Sequence, residues 1–301
     1  MQQLSSNEKY ITAVGEILFD VYPTHKKLGG APFNFIYHIE KLVGNGRIIS
    51  RIGNDSDGKE ILNYLEEKNI NTDFIQIDEK FESGIVKVLL DDNKIPSFEI
   101  LNNRAYDNIQ LNDTIVNLIQ NSNLLYVGTL AQRNTVSRET IKKTLEMKRK
   151  VFCDLNIRQN FYSKQVIEKT LNRSNVVKLN EAELELVTYL LFNVKDEIMA
   201  SSKRIRNHFD LDLLCVTLGH KGAYLFREDS ESYYKVEINK IADTVGAGDA
   251  YSAMMCLGYL RDWDLDRINM FASEFAGEIC KIHGAIPEND DLYQLYKEKI
   301  K

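Results

Sequence analysis

The run Asp243-Thr244-Val245-Gly246-Ala247-Gly248-Asp249-Ala250 is where residue types and spacing in this 301-residue chain most directly suggest chemistry. It lies between a strand-like segment and an apolar helical run, Tyr251 to Leu260. Two glycines at a helix start allow close backbone approach, and the free N–H groups of a first turn sit at the positive end of the helix dipole, which suits an anion such as a phosphate. Beside such a cradle, Asp249 can accept a hydroxyl proton while Gly246, Ala247 and Gly248 stabilise charge on a transferring phosphoryl group. An isolated Asp here could equally be a plain helix cap. The string is neither a P-loop nor a dinucleotide fingerprint, because no GK[ST] follows and a third glycine is absent.

A turn of this kind must be held at the end of a strand. Short β-branched runs alternate with segments of helical periodicity, beginning at Tyr10 to Val14 and returning at Arg47 to Ile52, which predicts an α/β fold with a mostly parallel central sheet flanked by helices. Between those strands Pro32 opens a helix carrying Phe35, Ile36, Ile39, Leu42 and Val43 on one face, and Gly44 ends it. Further strands are expected at Leu124 to Gly128, Val151 to Asp154, Asn175 to Leu179 and Leu213 to Thr217. Helices are expected over 57–68, 135–149, 181–191, 195–209, 247–261 and 264–282.

Ser83 to Leu90 and Pro96 to Leu101 break the alternation as a β-hairpin around the polar run Asp91-Asp92-Asn93-Lys94. With the irregular stretch Glu16 to Gly30 they predict a small β-sheet lid beside the strand ends, the whole chain forming one domain over 1–301. Ligands of a parallel sheet collect beyond its carboxyl ends. The polar residues to inspect there are Gly15-Glu16 with Asp20, Gly53-Asn54-Asp55, Gly128-Thr129, Asp154 with Asn156 and Arg158, Asn180 with Glu183, and Thr217-Leu218-Gly219.

Composition narrows the function. Lys plus Arg total 38 against 44 Asp plus Glu, a net charge of −6, which argues against nucleic acid; the densest basic run, Lys148-Arg149-Lys150, closes a helix where cations suit the dipole. Cys153, Cys215, Cys256 and Cys280 lack metal or disulfide spacing and read as reduced and structural. Neither a leader nor an 18-residue apolar stretch stands out, so no membrane partner and a cytoplasmic location are expected.

Asp243 to Ala250 resembles the C-terminal signature of the ribokinase or PfkB-type carbohydrate kinases. Leu28 to Asn34 (LGGAPFN) is similar to that family's sugar-binding signature, and Arg51 to Gly58 (RIGNDSDG) to the stretch that follows it. Asn180 to Glu183 resembles its N-x-x-E element, and Thr217 to Ala223 (TLGHKGA) its nucleotide turn. The resemblance, in family order from Gly15 to Gly284, implies an ATP-dependent sugar kinase with Asp249 as general base and the Ala247 and Gly248 backbone as anion hole. It implies Asp20, Gly30 and Asn34 on sugar hydroxyls, and Asn156 and Arg158 on the sugar or the transferred phosphate. Asn180 and Glu183 would organise Mg2+ through water. Thr217, Gly219 and Gly222 would line the ATP site, with Ala276 and Cys280 walling the adenine, and Asp243 and Val245 are candidates for a monovalent cation such as K+. The hairpin matches the family's lid, which often forms a homodimer contact; an exposed sheet edge invites such pairing.

Gly29-Gly30-Ala31-Pro32 with Asn34, Gly15 to Asp20 (GEILFD) and Ala105-Tyr106-Asp107 resemble bacterial fructokinases, which implies fructose as acceptor. Phe33 stands where a small residue is common, and could narrow the pocket or face the core. Arg104, just beyond the hairpin, would suit a keto-deoxy sugar acid or a phosphosugar if it entered the pocket, and is otherwise a surface residue. A non-catalytic sugar or nucleotide sensor is the rival class, because a fold does not secure activity. An NAD-dependent oxidoreductase is disfavoured, since no GxGxxG follows the first strand.

Overall fold

Strand and helix alternate through the body of the protein, a computed structural model that describes residues 10–90, 96–148, 150–238 and 240–301. β1 (Tyr10–Val14) runs through a short antiparallel pair, β2 (Leu18–Val21) and β3 (Lys26–Gly29), into α1 (Ala31–Val43). β4 (Gly46–Gly53), α2 (Ser56–Glu67) and β5 (Ile75–Asp78) complete that side of the main sheet, and β6 (Gly84–Leu90) and β7 (Pro96–Ile100) are the excursion. The chain returns through α3 (Asp113–Asn121), β8 (Ser122–Val127), α4 (Thr135–Met147), β9 (Val151–Asp154), α5 (Lys164–Leu171) and β10 (Val176–Asn180). Next come α6 (Glu181–Phe192), α7 (Ile198–Phe209), β11 (Leu213–Thr217) and the hairpin β12 (Ala223–Arg227) and β13 (Ser230–Tyr234). The last helices are α8 (Ala247–Leu260), α9 (Leu265–Ile279) and α10 (Asp291–Lys299).

The main sheet has the order β13-β12-β11-β10-β9-β8-β1-β4-β5, parallel except for the pairings of β12 with β11 and β13. From β1 the chain first builds outward through β4 and β5, then restarts on the other side at β8, which puts a topological switch point between β1 and β8, where open α/β sheets bind ligands. Its inner strands are buried on both faces, while β13 and β5 at the edges are partly exposed. Leu124 and Tyr126 of β8 pack into one core with α1, α8 and α9, while Leu125 and Val127 pack into the other with α3, α4 and α5.

β2, β3, β6 and β7 form the expected separate sheet, in the order β3-β2-β6-β7. The polar turn Asp91 to Lys94 lies outside the described residues. α1 starts with Pro32 in its first turn and stops at Gly44, whose φ of 75° is the left-handed conformation that glycine adopts without strain. Boundaries differ modestly: α4 closes at Met147, α9 at Ile279, and α7 begins at Ile198 because Asp196 is engaged by Arg204 and Ser201 ahead of it. The strand that precedes the glycine turn is β13, which ends at Tyr234 on the sheet edge; from there the chain travels back to the centre, where α8 packs on α1.

Candidate active site

Three carboxylates meet around the N-terminus of α8. Asp249, in the first turn, accepts a hydrogen bond of 2.7 Å from Asn34 Nδ2 at the start of α1, 215 residues away in sequence. Burial pushes its carboxyl up to about 6, the Asp154 charge adding to the rise while the Asn34 hydrogen bond, Lys178 and Arg158 oppose it. Burial likewise pushes Asp20, on β2, up to about 6 against Arg158 and Lys27. Glu16, just beyond β1, reaches about 7, chiefly by burial, with Asp249 adding to the rise and its own backbone N–H, Arg158 and Arg133 opposing it. Arg158 is thus the cation common to all three.

The glycine turn is fixed by contact. Gly246 has a φ of 77°, and a Cβ there would stand 2.2 Å from that of Ala285. Gly30 has a φ of 108°, and its Cβ would stand 2.5 Å from the Glu16 carbonyl oxygen. Neither position has room for a side chain. The Ala247 N–H makes a long bond of 3.4 Å to the Thr244 carbonyl, and the next N–H groups of the first turn, those of Gly248 and Asp249, have no intrahelical acceptor, the arrangement that suits an anion.

Behind the turn lies a buried polar network. Lys178 Nζ and Asp154 Oδ2 form a 2.7 Å ion pair, Ser252 donates to the same Asp154 oxygen at 2.7 Å, and Tyr126 donates to it at 3.2 Å. Burial works against the Lys178 charge, but the Asp154 carboxylate outweighs it and raises the ammonium's pKa. Lys178 Nζ would lie 3.6 Å from a Cβ on Gly248, so a buried cation underlies the cradle. Lys178 and Ser252 were missed in the sequence, although a lone Lys inside the apolar strand VVKLN was a readable signal.

Asn180 and Glu183 form a reciprocal capping box on α6: Asn180 Oδ1 accepts from the Glu183 N–H and Glu183 Oε2 from the Asn180 N–H, each at 2.9 Å. Glu183 Oε1 accepts from Ile157 N–H at 2.7 Å, which ties the loop after β9 to α6. Glu183 is 6% exposed, so it is no solvated helix carboxylate. With both oxygens already engaged, it fits Mg2+ through water rather than as a direct ligand. Asp243 Oδ1 accepts from the N–H groups of Thr244 and Val245, and Oδ2 from that of Gly284 at 3.1 Å. It braces the approach to the glycine turn.

Two cavities reach this region. One of about 290 Å³ is lined by Asp20, Gly29, Asn34 and Val245 together with Lys27 and Gly284. The other, about 840 Å³, is lined by Thr217, Gly219 and Gly222, by Ala276 and Cys280, and by Ala247 and Gly248 of the turn. Val245, just before the glycine turn, lines the first cavity, and Ala247 and Gly248, just after Gly246, line the second, whereas Gly30, Arg158 and Asp249 line neither. Asn156 lines neither, and adopts a positive φ of 44° in the loop that carries Arg158. Phe33 is wholly buried, edge-on to Tyr37 and Tyr64, and so faces the core. Arg104 bonds Glu82 Oε2 at 2.5 Å instead of entering the cavity.

A mostly parallel sheet with a small side sheet, an anion cradle and an adjoining buried carboxylate define an α/β phosphoryl-transfer enzyme. The sequence profile of the pfkB family carbohydrate kinases matches residues 7–292, and the chain belongs to that family. An uncharacterized sugar kinase of Pyrococcus horikoshii is 30% identical over 96% of this chain and 96% of its own length; its structure in complex with ATP superposes with a TM-score of 0.82, covering 96% of this chain and 99% of that one. A fructokinase of Vibrio alginolyticus is 27% identical over 85% of this chain and 86% of its own. A 5-dehydro-2-deoxygluconokinase of Clostridium botulinum is 25% identical over 96% and 93%. The protein is an ATP-dependent carbohydrate kinase with a ribokinase-like fold. Among the described residues, no helix is long and apolar enough to cross a membrane.

Proposed function

We propose that this kinase transfers the γ-phosphoryl group of ATP to a hydroxyl of D-fructose, with Asp249 as the general base. The observation that carries the reading is the buried Asp249 carboxylate, hydrogen-bonded to Asn34 of the smaller cavity and next in sequence to Gly248 of the larger, with its pKa raised to about 6. A carboxylate of that strength is ionised at neutral pH and still basic enough to draw off a hydroxyl proton as the bond to phosphorus forms. The backbone of Gly246, Ala247 and Gly248 takes the charge of the transferring group, over Lys178. Asp20, Gly30 and Asn34 orient the sugar, and Arg158 spans the sugar and the incoming phosphoryl group, with Asn156 shaping its loop.

The nucleotide occupies the larger cleft, its base against Ala276 and Cys280 and its phosphates toward Thr217, Gly219 and Gly222. Mg2+, which keeps much of its hydration shell, would neutralise the phosphates and be held through water by Asn180 and Glu183. Asp243 and the Val245 carbonyl are the candidates for a K+ site beside the turn. The side sheet acts as a lid. Its strand β7 ends the sheet order and Phe98 is 48% exposed there, which supports a homodimer through the lid.

Fructose rests on the GGAP-x-N string, the GEILFD start and the Vibrio relative. The clostridial relative keeps a keto-deoxy sugar acid as the second acceptor class, and phosphosugars and ribose as further members. Against the acid, Arg104 is spent on Glu82. ADP release measured at fixed ATP over fructose, ribose, 2-keto-3-deoxygluconate and fructose 6-phosphate decides among them: the highest kcat/KM is expected for fructose. Preference for an acid or phosphosugar would overturn the fructose reading, and no release with any sugar would favour a sensor.

A further inference from the structure

Glu16, Asn34, Tyr106 and Arg133 come from four separate stretches of chain, yet each carries a buried polar atom without a hydrogen-bond partner: Glu16 Oε2, Asn34 Oδ1, Tyr106 Oη and Arg133 Nη1. Glu16 is 3% exposed, Asn34 5%, Tyr106 0% and the Arg133 side chain 6%. They are neighbours. The Arg133 guanidinium lies 5.0 Å from the centre of the Tyr106 ring, and the Glu16 charge is felt at both Tyr106 and Arg133. On its other side Glu16 feels Asp249, to which Asn34 donates. Buried polar groups nearly always find partners, so four orphans in one row beside the reacting carboxylate call for an occupant.

The donors and acceptors define what that occupant is. Tyr106 and Arg133 donate, while Glu16 and Asn34 accept. The Arg133 charge is already matched by Asp107, whose oxygens take its Nε at 2.7 Å and its Nη2 at 2.8 Å. Arg104, felt at Tyr106, is paired with Glu82, and the Arg158 charge is already shared among Glu16, Asp20 and Asp249, so a carboxylate or phosphate entering the row would add a further anion beside Glu16. A hydroxyl, which both donates and accepts, satisfies such a set.

We propose that this row is an acceptor subsite that takes a sugar hydroxyl other than the one phosphorylated, making Glu16, Tyr106 and Arg133 specificity-determining residues. The inference rests on the carbohydrate-kinase assignment and not on fructose being the acceptor. Its roof is the root of the small sheet: Tyr106 Cε1 lies 2.8 Å from where a Cβ would stand on Gly84, and Arg133 Nη2 donates to the Leu101 carbonyl at 2.7 Å. Both ends of the β6–β7 hairpin thus leave the body over this row; Glu16, Tyr106 and Arg133 line neither cavity, so the proposed subsite takes sugar only when the hairpin lifts.

Tyr106→Phe removes one donor and keeps the ring. It is assayed at saturating ATP with the best sugar of the panel and with its analogues that each lack one hydroxyl. The kcat/KM for the parent sugar should fall about tenfold, mainly through KM, as expected for one lost hydrogen bond. The penalty should vanish for the single analogue that lacks the hydroxyl held by the row, and the KM for ATP should stay unchanged. Glu16→Gln, of equal shape, should re-rank the same analogues. If both variants lose the same factor on every acceptor, or lose nothing on any, ordered water fills the row and the proposal is overturned.

Discussion

The two halves of the cleft are built on opposite principles. The half proposed for the acceptor holds side chains that are costly to bury: Asp20 and Asn34 line its cavity, Glu16 lies buried beside Asp249, and burial raises both carboxylates. The half proposed for the nucleotide is wider, and backbone turns and small residues, Gly219, Gly222, Ala276 and Gly277, make up part of its wall beside Val236, Ile238 and Ile241. The difference follows from the ligands. A sugar is told from its analogues hydroxyl by hydroxyl, and a site that pairs a hydroxyl rejects a substrate lacking it far better than an apolar surface can. A triphosphate is anchored by charge and by N–H groups that any residue can supply.

If that division holds, substitutions should separate acceptor effects from nucleotide effects. The largest is expected from Asp249→Asn, which keeps the shape but removes the base: turnover should fall by about 10² to 10⁴, with nucleotide affinity retained in a titration calorimeter. Gly30→Ala comes next. Its φ and the Glu16 carbonyl leave no room for a methyl group, so the sugar floor must shift, and a shift of this kind costs about 10²-fold in kcat/KM for the acceptor. An equal loss of nucleotide affinity would break the comparison. Glu183→Gln should act on the other half, raising the Mg2+ concentration for half activity by about tenfold with the acceptor KM held. An unchanged Mg2+ curve would confine Glu183 to its capping box.

Much of the body was legible because its signals are local. Pro32 and Gly44 bracket α1, and apolar runs such as LLCVT mark buried strands. The hairpin of β12 and β13 escaped notice because its turn uses Glu228 with a φ of 49°, where glycine or asparagine would have announced it. α10, Asp291–Lys299, is short and largely polar, and its buried residues are two tyrosines, Tyr293 and Tyr296, that pack against α1 and α9 with Leu292 beside the core. In the site, the glycine turn and Asn34 could be read from sequence. The convergence of Glu16, Tyr106 and Arg133 could not, since the fold alone brings them together. Asn180 and Glu183 show a third case: the pattern was visible, but it is a capping box as much as a metal motif.

The pH dependence of kcat/KM for the acceptor, taken at saturating ATP from pH 5 to 8, tests the role of Asp249 most directly. A base whose pKa is raised to about 6 is lost by protonation as the pH falls through that value, so the rate should be level above pH 7 and decline about tenfold per unit well below 6. Asp20→Asn and Glu16→Gln, which remove the two other carboxyls that titrate in this range, near 6 and near 7, should each weaken the acceptor and leave the inflection near 6 in place. A profile that stays level down to pH 5, or an inflection that disappears with Asp20 and persists in Asp249→Asn, would contradict the assignment of the base.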